Sequence, residues 1–515
     1  MAKKKQQRPQ SAAEEPSPAL KKKKKDGKAL LGKAKEAGAG EVVGKPGPGA
    51  KEKKGEGPAA WKMGHDPVKG RIMVAARDLA AGEIILDEQP VVAGSWHAHR
   101  CIECHGTHAP QDCEAVRGAY PKEVADNMEK IEAALVEMDQ VDELDAARRL
   151  IKALNLCRGS RNLIECTAPC TAHNLAACEA TMAKIAKHAQ AKHVIPPGVT
   201  VPEAARILSV LNTNSHELGE WGGSGFFILA CLMEHSCAPN CTFNTHKTSL
   251  WVTVTEPVRK GGALSIDYND SLFEPTSARC SHLREAYGFD CACLRCSTLP
   301  DRTRAFLCPG CSQLLCPLGV GKKPSDWKCL SCDRQLKKEE RKRMVRIEES
   351  LIEEGPEDLE MVEEILSDPD TCFHPTHHII LDALMELAAE FSKDDDGVAS
   401  GEADKIWVQV LDGAREVLRP NHPHLAILWD NLAQVRVARG DAKGAKKALL
   451  EAAEATRLSA GAGTPTTLVA QSLAEAPPKT TAEMAGSYEN FRDRFAQMER
   501  QGIDGLAFFA TTPKP

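Results

Sequence analysis

Apolar and polar positions change their rhythm several times along the chain. Residues 66–92 set short apolar segments on either side of Ala81-Gly82, which predicts a β-hairpin-like opening. From 121 to 217 apolar residues recur at helical spacing. Ile131, Leu135, Met138 and Val141 form one stripe; Ala147, Leu150, Ile151 and Leu154 form another. An apolar run from Phe226 to Met233 then meets the polar cluster Glu234, His235, Ser236, Cys237, Pro239 and Asn240. Strand-like segments follow at Ser249–Thr255 and again up to Asp267-Tyr268-Asn269-Asp270, divided by a Gly261-Gly262 turn. From about Glu339 the chain reads as helical, with an acidic loop expected at 393–404. Residues 461–515 read as loop with one short amphipathic helix at Phe491 and Phe495.

Charge adds an asymmetry. The net charge of −6 combines +9 over residues 1–60, where 16 Lys/Arg face 7 Asp/Glu, with −15 over the rest. Residues 1–60 lack large apolar groups and are expected to be disordered, because they bury too little to offset ordering. Lys21–Lys25 is either a solvated run or a nuclear-import or nucleic-acid patch. The acidic remainder is ill suited to neutralising phosphates, so nucleic acid is not an expected partner except through the Lys-rich tail. No apolar segment follows the basic start MAKKKQQRPQ, and the longest apolar run, about eight residues, is too short to cross a bilayer. The expected location is a reducing compartment, nucleus or cytoplasm, with many of the 20 cysteines serving as metal ligands.

Cysteine spacing gives the sharpest chemistry. Cys291-x-Cys293-x2-Cys296 offers three thiols, whereas structural zinc takes four ligands. Cys237 is the best candidate for the fourth, which folds this tail back onto the polar cluster and forms a pocket floored by that cluster and Tyr268. Cys308-x2-Cys311 and Cys329-x2-Cys332, with 17 residues between the pairs, form a zinc-ribbon signature. Cys316 is then spare. A third site would use Cys101, Cys104 and Cys113, or the nearby His105 and His108; Cys157, Cys166, Cys170, His173 and Cys178 lie further on.

Taken together, Glu234-His235-Ser236-Cys237-Ala238-Pro239-Asn240, Asp267-Tyr268 and Tyr287 through Cys296 resemble the signature motifs of SMYD-type SET-domain protein-lysine methyltransferases. The resemblance implies an α+β fold: a SET-type β fold with a helical insertion, a zinc-bound post-SET segment and a TPR-like α-helical C-terminal domain. Its divisions would be a tail at 1–60, a SET domain at 61–300, a zinc-ribbon-like segment at 301–338, a TPR-like domain at 339–460 and a tail at 461–515. Within the SET domain these are opening strands at 66–92, an insertion with a degenerate MYND-like zinc module at 93–217, a core at 218–286 and a zinc segment at 287–300. The helix pair at 421–457, broken at Arg439-Gly440-Asp441, resembles one tetratricopeptide unit and would receive protein partners.

The same resemblance implies the cofactors S-adenosyl-L-methionine and Zn2+ and a protein substrate with a target lysine. Tyr268 becomes the catalytic residue and Tyr287 lines the substrate channel. Gly70, Arg71, Asn214, Glu234, His235, Tyr268 and Phe289 become cofactor-binding; Asn214, like Asn212, also suits a helix-terminating cap. Two positions depart from the family pattern: Ile72 replaces a glycine, and Glu234 replaces an asparagine and accepts hydrogen bonds without donating. The alternative reading is therefore a catalytically weakened SET-like scaffold acting through its helical domain.

Overall fold

The structure is a computed structural model. It describes residues 59–97, 101, 113–114, 122–138, 144–156, 171–188, 191, 193–218, 222–246, 248–269, 272–298, 301–318, 326–368 and 371–488. Strands β1 (Trp61–Asp66) and β2 (Gly70–Ala75) pair antiparallel, from Trp61↔Ala75 to Asp66↔Gly70. The Asp66 carboxylate accepts the Val68 and Lys69 N–H groups, both at 2.8 Å, and Gly70 closes the turn at φ 80°. The opening hairpin thus lies one element earlier than the sequence pattern suggested. Gly82 does form a turn at φ 82°, but its flanks pair elsewhere.

Strand β3 (Ile84–Glu88) joins a sheet of order β3-β9-β8, with β8 at Cys241–His246 and β9 at Ser249–Val254. A second sheet, β4-β6-β5, uses Val92–Ser95, Gly223–Phe226 and Ser215–Glu217. Strands β7 (Glu234–His235) and β10 (Ser265–Ile266) pair in parallel. These short sheets enclose Met73, Leu86, Phe227, Met233, Val252, Leu264 and Ile266. Burial on both faces explains why β9, SLWVTV, reads as a nearly continuous apolar run.

Helices Lys122–Glu137, Leu144–Leu154, Ala172–Lys187 and Val201–Asn214 lie in sequence between the two halves of this β core. Thr200 and Glu203 form a capping box at the last, with Pro202 in its first turn. Leu144–Leu154 is buried nearly all round, including Arg148 and Lys152 at 1% exposure each. Arg148 donates to the Ser95 and His97 carbonyls at 2.7 and 2.8 Å, and Lys152 donates to the Ala93 carbonyl at 2.6 Å. Its polar face is thus matched to main-chain acceptors at β4 rather than to water. Cys101 and Cys113 are buried in this helical core, while Cys104, His105 and His108 lie outside the described residues.

A three-stranded ribbon follows, β11 (Phe306–Leu307), β12 (Leu314–Leu318) and β13 (Asp326–Cys329). Phe306 packs on Trp327 and Phe373 and shares one apolar core with helices His378–Phe391, Glu402–Val417, Pro423–Ala438 and Ala442–Ala460. The segment expected as an acidic loop is instead helical: Asp394 caps Asp395–Ser400 through the Gly397 N–H at 2.9 Å, and Glu402–Val417 follows. Acidic residues favour helix starts, so the charge run marks a beginning rather than a gap. Beyond 461, a further helix at Pro465–Glu475 replaces expected loop, whereas Phe491 and Phe495 lie outside the described residues. The helical region docks on the β3-β9-β8 sheet: Arg419 pairs with Glu256, and Asn421 donates to the Thr255 carbonyl at 2.6 Å. Among the described residues no helix is long and apolar enough to cross a membrane.

Candidate functional site

The Glu-His-Ser-Cys cluster occupies β7 and the bend after it. Pairing of β7 with β10 brings Tyr268, two residues past β10, beside His235 with ring centres 5.2 Å apart. The Tyr268 N–H donates to His235 Nδ1 at 3.0 Å, which leaves the ring proton on Nε2, 3.1 Å from Cys237 Sγ. Burial pushes His235 down to about 4, so the ring is neutral near pH 7. The Tyr268 hydroxyl donates to the Met233 carbonyl, and burial raises its pKa, so it stays protonated. Asp267 is pushed up to about 7, again by burial.

Cys237, Cys291, Cys293 and Cys296 bring four sulfurs within 4.8 Å of one another. A tetrahedral ion with metal–sulfur bonds of about 2.3 Å sets sulfur–sulfur edges near 3.8 Å. The 3.5 Å separation of Cys237 and Cys296 suits that geometry. Donors converge on the sulfurs as well: His235 and Asn269 approach Cys237, the latter at 3.7 Å, and Arg279 Nη2 approaches Cys296 at 3.8 Å. Arg279 is 0% exposed, a buried cation beside a cluster that would carry net negative charge once metallated. The ribbon quartet, Cys308, Cys311, Cys329 and Cys332, is equally compact, with sulfur pairs at 3.7 and 3.5 Å. Gly310 and Ser331 N–H groups donate to Cys308 and Cys329, both at 3.4 Å, as a metal knuckle requires. Glu348, His377 and His378 also cluster, but the Arg304 guanidinium grips both Glu348 oxygens at 2.7 Å, so this group reads as a buried ion pair.

The Thr276–Ala286 helix leads into the Cys291–Cys296 return through Tyr287 and Gly288, the latter at φ 77°. That turn sets the Tyr287 and Phe289 rings 6.4 Å apart, with Tyr287 5.1 Å from Tyr268 and Phe289 5.8 Å from His235. Tyr268 and Tyr287 line a cleft of about 560 Å3, together with Asn214, His216, Asp267 and, from the helical region, Arg419 and Asn421 to His424. A smaller cavity of about 300 Å3 is lined by Asn174, Thr181, Asn212, Thr213 and Tyr287, so the two cavities share Thr213 and Tyr287.

The SET domain sequence profile matches residues 70–269. The SET domain-containing protein SmydA-8, isoform A, of Drosophila melanogaster is 27% identical over 53% of this chain and 65% of its own length. Histone-lysine N-methyltransferase ASHR1 of Arabidopsis thaliana is 23% identical over 78% of this chain and 91% of its own. Protein-lysine N-trimethyltransferase SMYD5 of Mus musculus is 37% identical over a shorter stretch, 15% of this chain and 20% of its own. Residues 70–269 carry a SET domain, and the relatives the chain matches include SMYD-type proteins. The crystal structure of the SET domain of LSMT bound to lysine and AdoHcy also aligns, at 13% identity over 73% of this chain and 88% of that one, with a TM-score of 0.26.

Of the expected site residues, Asn214, Tyr268 and Tyr287 share the cleft wall, while Gly70, Arg71, Glu234, His235 and Phe289 lie outside it. Asn214 is the last residue of its helix, and its amide donates to the Val210 carbonyl at 2.8 Å. Glu234 forms an ion pair with Lys69, the residue before Gly70, at 2.8 Å. Ile72 is 9% exposed and lies over Gly64 on the paired strand. Arg279 and the cleft residues Arg419 and Asn421 to His424 carry no sequence motif. Another unflagged residue is Glu88, whose carboxylate accepts the Leu229 and Ala230 N–H groups at 2.9 and 3.0 Å, fixing the turn that brings Ala230 and Cys231 to the cleft.

Proposed function

We propose that this SET domain transfers a methyl group from S-adenosylmethionine to the side-chain amine of a protein lysine. The observation that carries the reading is the meeting of two cavities at Tyr287, with Tyr268 on the wall of the larger. Two reactants bound in these cavities would both border Tyr287. When bound, S-adenosylmethionine supplies an electrophilic methyl on a positive sulfur. Asn214 and Tyr268, on the wall of the larger cavity, are the assigned cofactor residues that the cavities reach; Glu234, His235, Phe289, Gly70 and Arg71, assigned through the family resemblance, line neither cavity. Lys69 and Glu234 offer one cation and one anion, which suits a zwitterionic amino-acid end.

Tyr268 spends its proton on the Met233 carbonyl, so its oxygen can accept an N–H from the lysine amine and orient the nitrogen lone pair. Tyr287 and Phe289 exclude water from that amine. Both cysteine quartets hold structural zinc in this reading; the first keeps Tyr287 and Phe289 against the core. The helix pair at Pro423–Ala438 and Ala442–Ala460 serves as a TPR-like surface for protein partners.

Calorimetric titration with S-adenosylmethionine tests the proposal, and saturable binding at micromolar cofactor is expected. The Lys69–Glu234 pair, which satisfies both charges internally, favours a second reading as a weakened scaffold. Absence of binding at high micromolar cofactor would select that scaffold.

A further inference from the structure

The first quartet has a fifth sulfur at its side. Cys280, on the Thr276–Ala286 helix, is 3% exposed, and its Sγ lies 3.9 Å from Cys296 Sγ. Cys296 is 5% exposed and belongs to the quartet through its contact with Cys237. A tetrahedral zinc takes four thiolates, so Cys280 is a surplus thiol touching one of the ligands.

We propose that Cys280 and Cys296 are an oxidation site: a hydroperoxide joins them as a disulfide and zinc leaves the quartet. The inference rests on zinc occupying Cys237, Cys291, Cys293 and Cys296. A disulfide bond of about 2.05 Å requires the two sulfurs to close by about 1.9 Å from their present separation. Bound to zinc, Cys296 is a thiolate, the form that attacks peroxide, and the Arg279 guanidinium faces its sulfur at 3.8 Å.

In the first step the Cys296 thiolate attacks the O–O bond. A sulfur–oxygen bond forms, the O–O bond breaks, and hydroxide or alkoxide departs, leaving a sulfenic acid. The Cys280 sulfur then attacks that sulfur. The S–S bond forms, the S–O bond breaks, and hydroxide leaves with the Cys280 proton as water. Two electrons pass from the sulfur pair to the peroxide oxygens. Zinc retains at most three thiolates, and the return that carries Tyr287 and Phe289 loses its clasp. Cys280 thereby makes this quartet more fragile than the ribbon quartet in the same chain.

The test uses the full chain, with zinc release followed by a chromogenic chelator during exposure to hydrogen peroxide. Untreated protein should hold two zinc equivalents. Peroxide should release one of them fast, and proteolytic peptides should then show Cys280 linked to Cys296. Cys280→Ala should slow the fast release at least fivefold and abolish that linked peptide, while circular dichroism confirms an intact fold. The peptide map of the natural chain needs no variant, so a failure of Cys280→Ala to fold leaves the site decidable. Unchanged release in a folded Cys280→Ala, or linkages only among Cys237, Cys291, Cys293 and Cys296, overturns the inference while the zinc assignment stands. An untreated chain with reduced, metal-free thiols at the first quartet removes the zinc assignment, and the inference with it.

Discussion

Arg279→Met removes a buried charge while keeping most of the side-chain volume. In the natural chain Arg279 Nη2 lies 3.8 Å from Cys296 Sγ and 3.0 Å from Thr276 Oγ1, and Nη1 donates to the Glu274 carbonyl. Four thiolates around one Zn2+ leave a net charge of about −2, which this cation partly balances. At an effective dielectric of about 20, one unit charge pair at that distance gains about 4 kcal/mol. Desolvation of the guanidinium offsets much of this gain, so the expected loss is about 1.4–2.7 kcal/mol, a 10- to 100-fold weaker zinc affinity, as for other supporting contacts around a metal site. Chelator competition on the full chain measures it, and the ribbon quartet, far along the sequence at 308–332, supplies an internal standard. Equal affinity at the first quartet, or equal loss at both, would refute the argument that Arg279 balances this charge.

Two further outcomes concern the walls of the cleft. Gly288→Ala places a Cβ at φ 77° and 3.3 Å from Thr171 Cγ2, so it should cost about 1 kcal/mol in urea unfolding. It should also raise the KM for S-adenosylmethionine by displacing Tyr287 and Phe289; unfolding and kinetics that both match the natural chain would contradict this. Burial raises Glu88 from 4.5 to about 7 in the folded state, so its contribution to stability is full below pH 4.5 and is lost as pH rises through 7. That shift corresponds to about 3 kcal/mol, and the natural chain should lose up to about that much stability relative to Glu88→Gln between pH 5 and 8. A natural chain that gains stability relative to Glu88→Gln over this range, read from urea midpoints, would reverse the sign of the argument.

The parts of the site legible in the sequence are those whose chemistry is fixed by short spacing. Cys308-x2-Cys311 and Cys329-x2-Cys332 declare a knuckle pair on their own, and Cys237 could be matched to Cys291, Cys293 and Cys296 because three thiols demand a fourth. Tyr268 was singled out through the resemblance of Asp267-Tyr268 to a family motif, and the structure places it on the cleft wall. What stayed hidden is long-range or lacks a repeating pattern. Arg148 and Lys152 look like the solvent face of an amphipathic helix, yet they bind carbonyls at β4. Cys280 and Arg279 sit in a helix whose sequence, TSARCSHLREA, announces nothing, and their importance arises only when the helix lies against Cys296. The opening hairpin was misplaced because the Ala81-Gly82 turn was a real turn joining strands that pair with other partners. The wall of Arg419 and Asn421 to His424 belongs to the helical region and reaches the cleft through tertiary docking, which no local period encodes.

Transfer of labelled methyl from S-adenosylmethionine to proteins of a cell extract, comparing the natural chain with Tyr268→Phe, tests the central claim most directly. Loss of the hydroxyl should leave cofactor binding within about threefold and lower transfer at least tenfold, because it removes a contact that orients the amine. Base-labile or non-lysine labelling, or equal transfer by both proteins, would contradict the account.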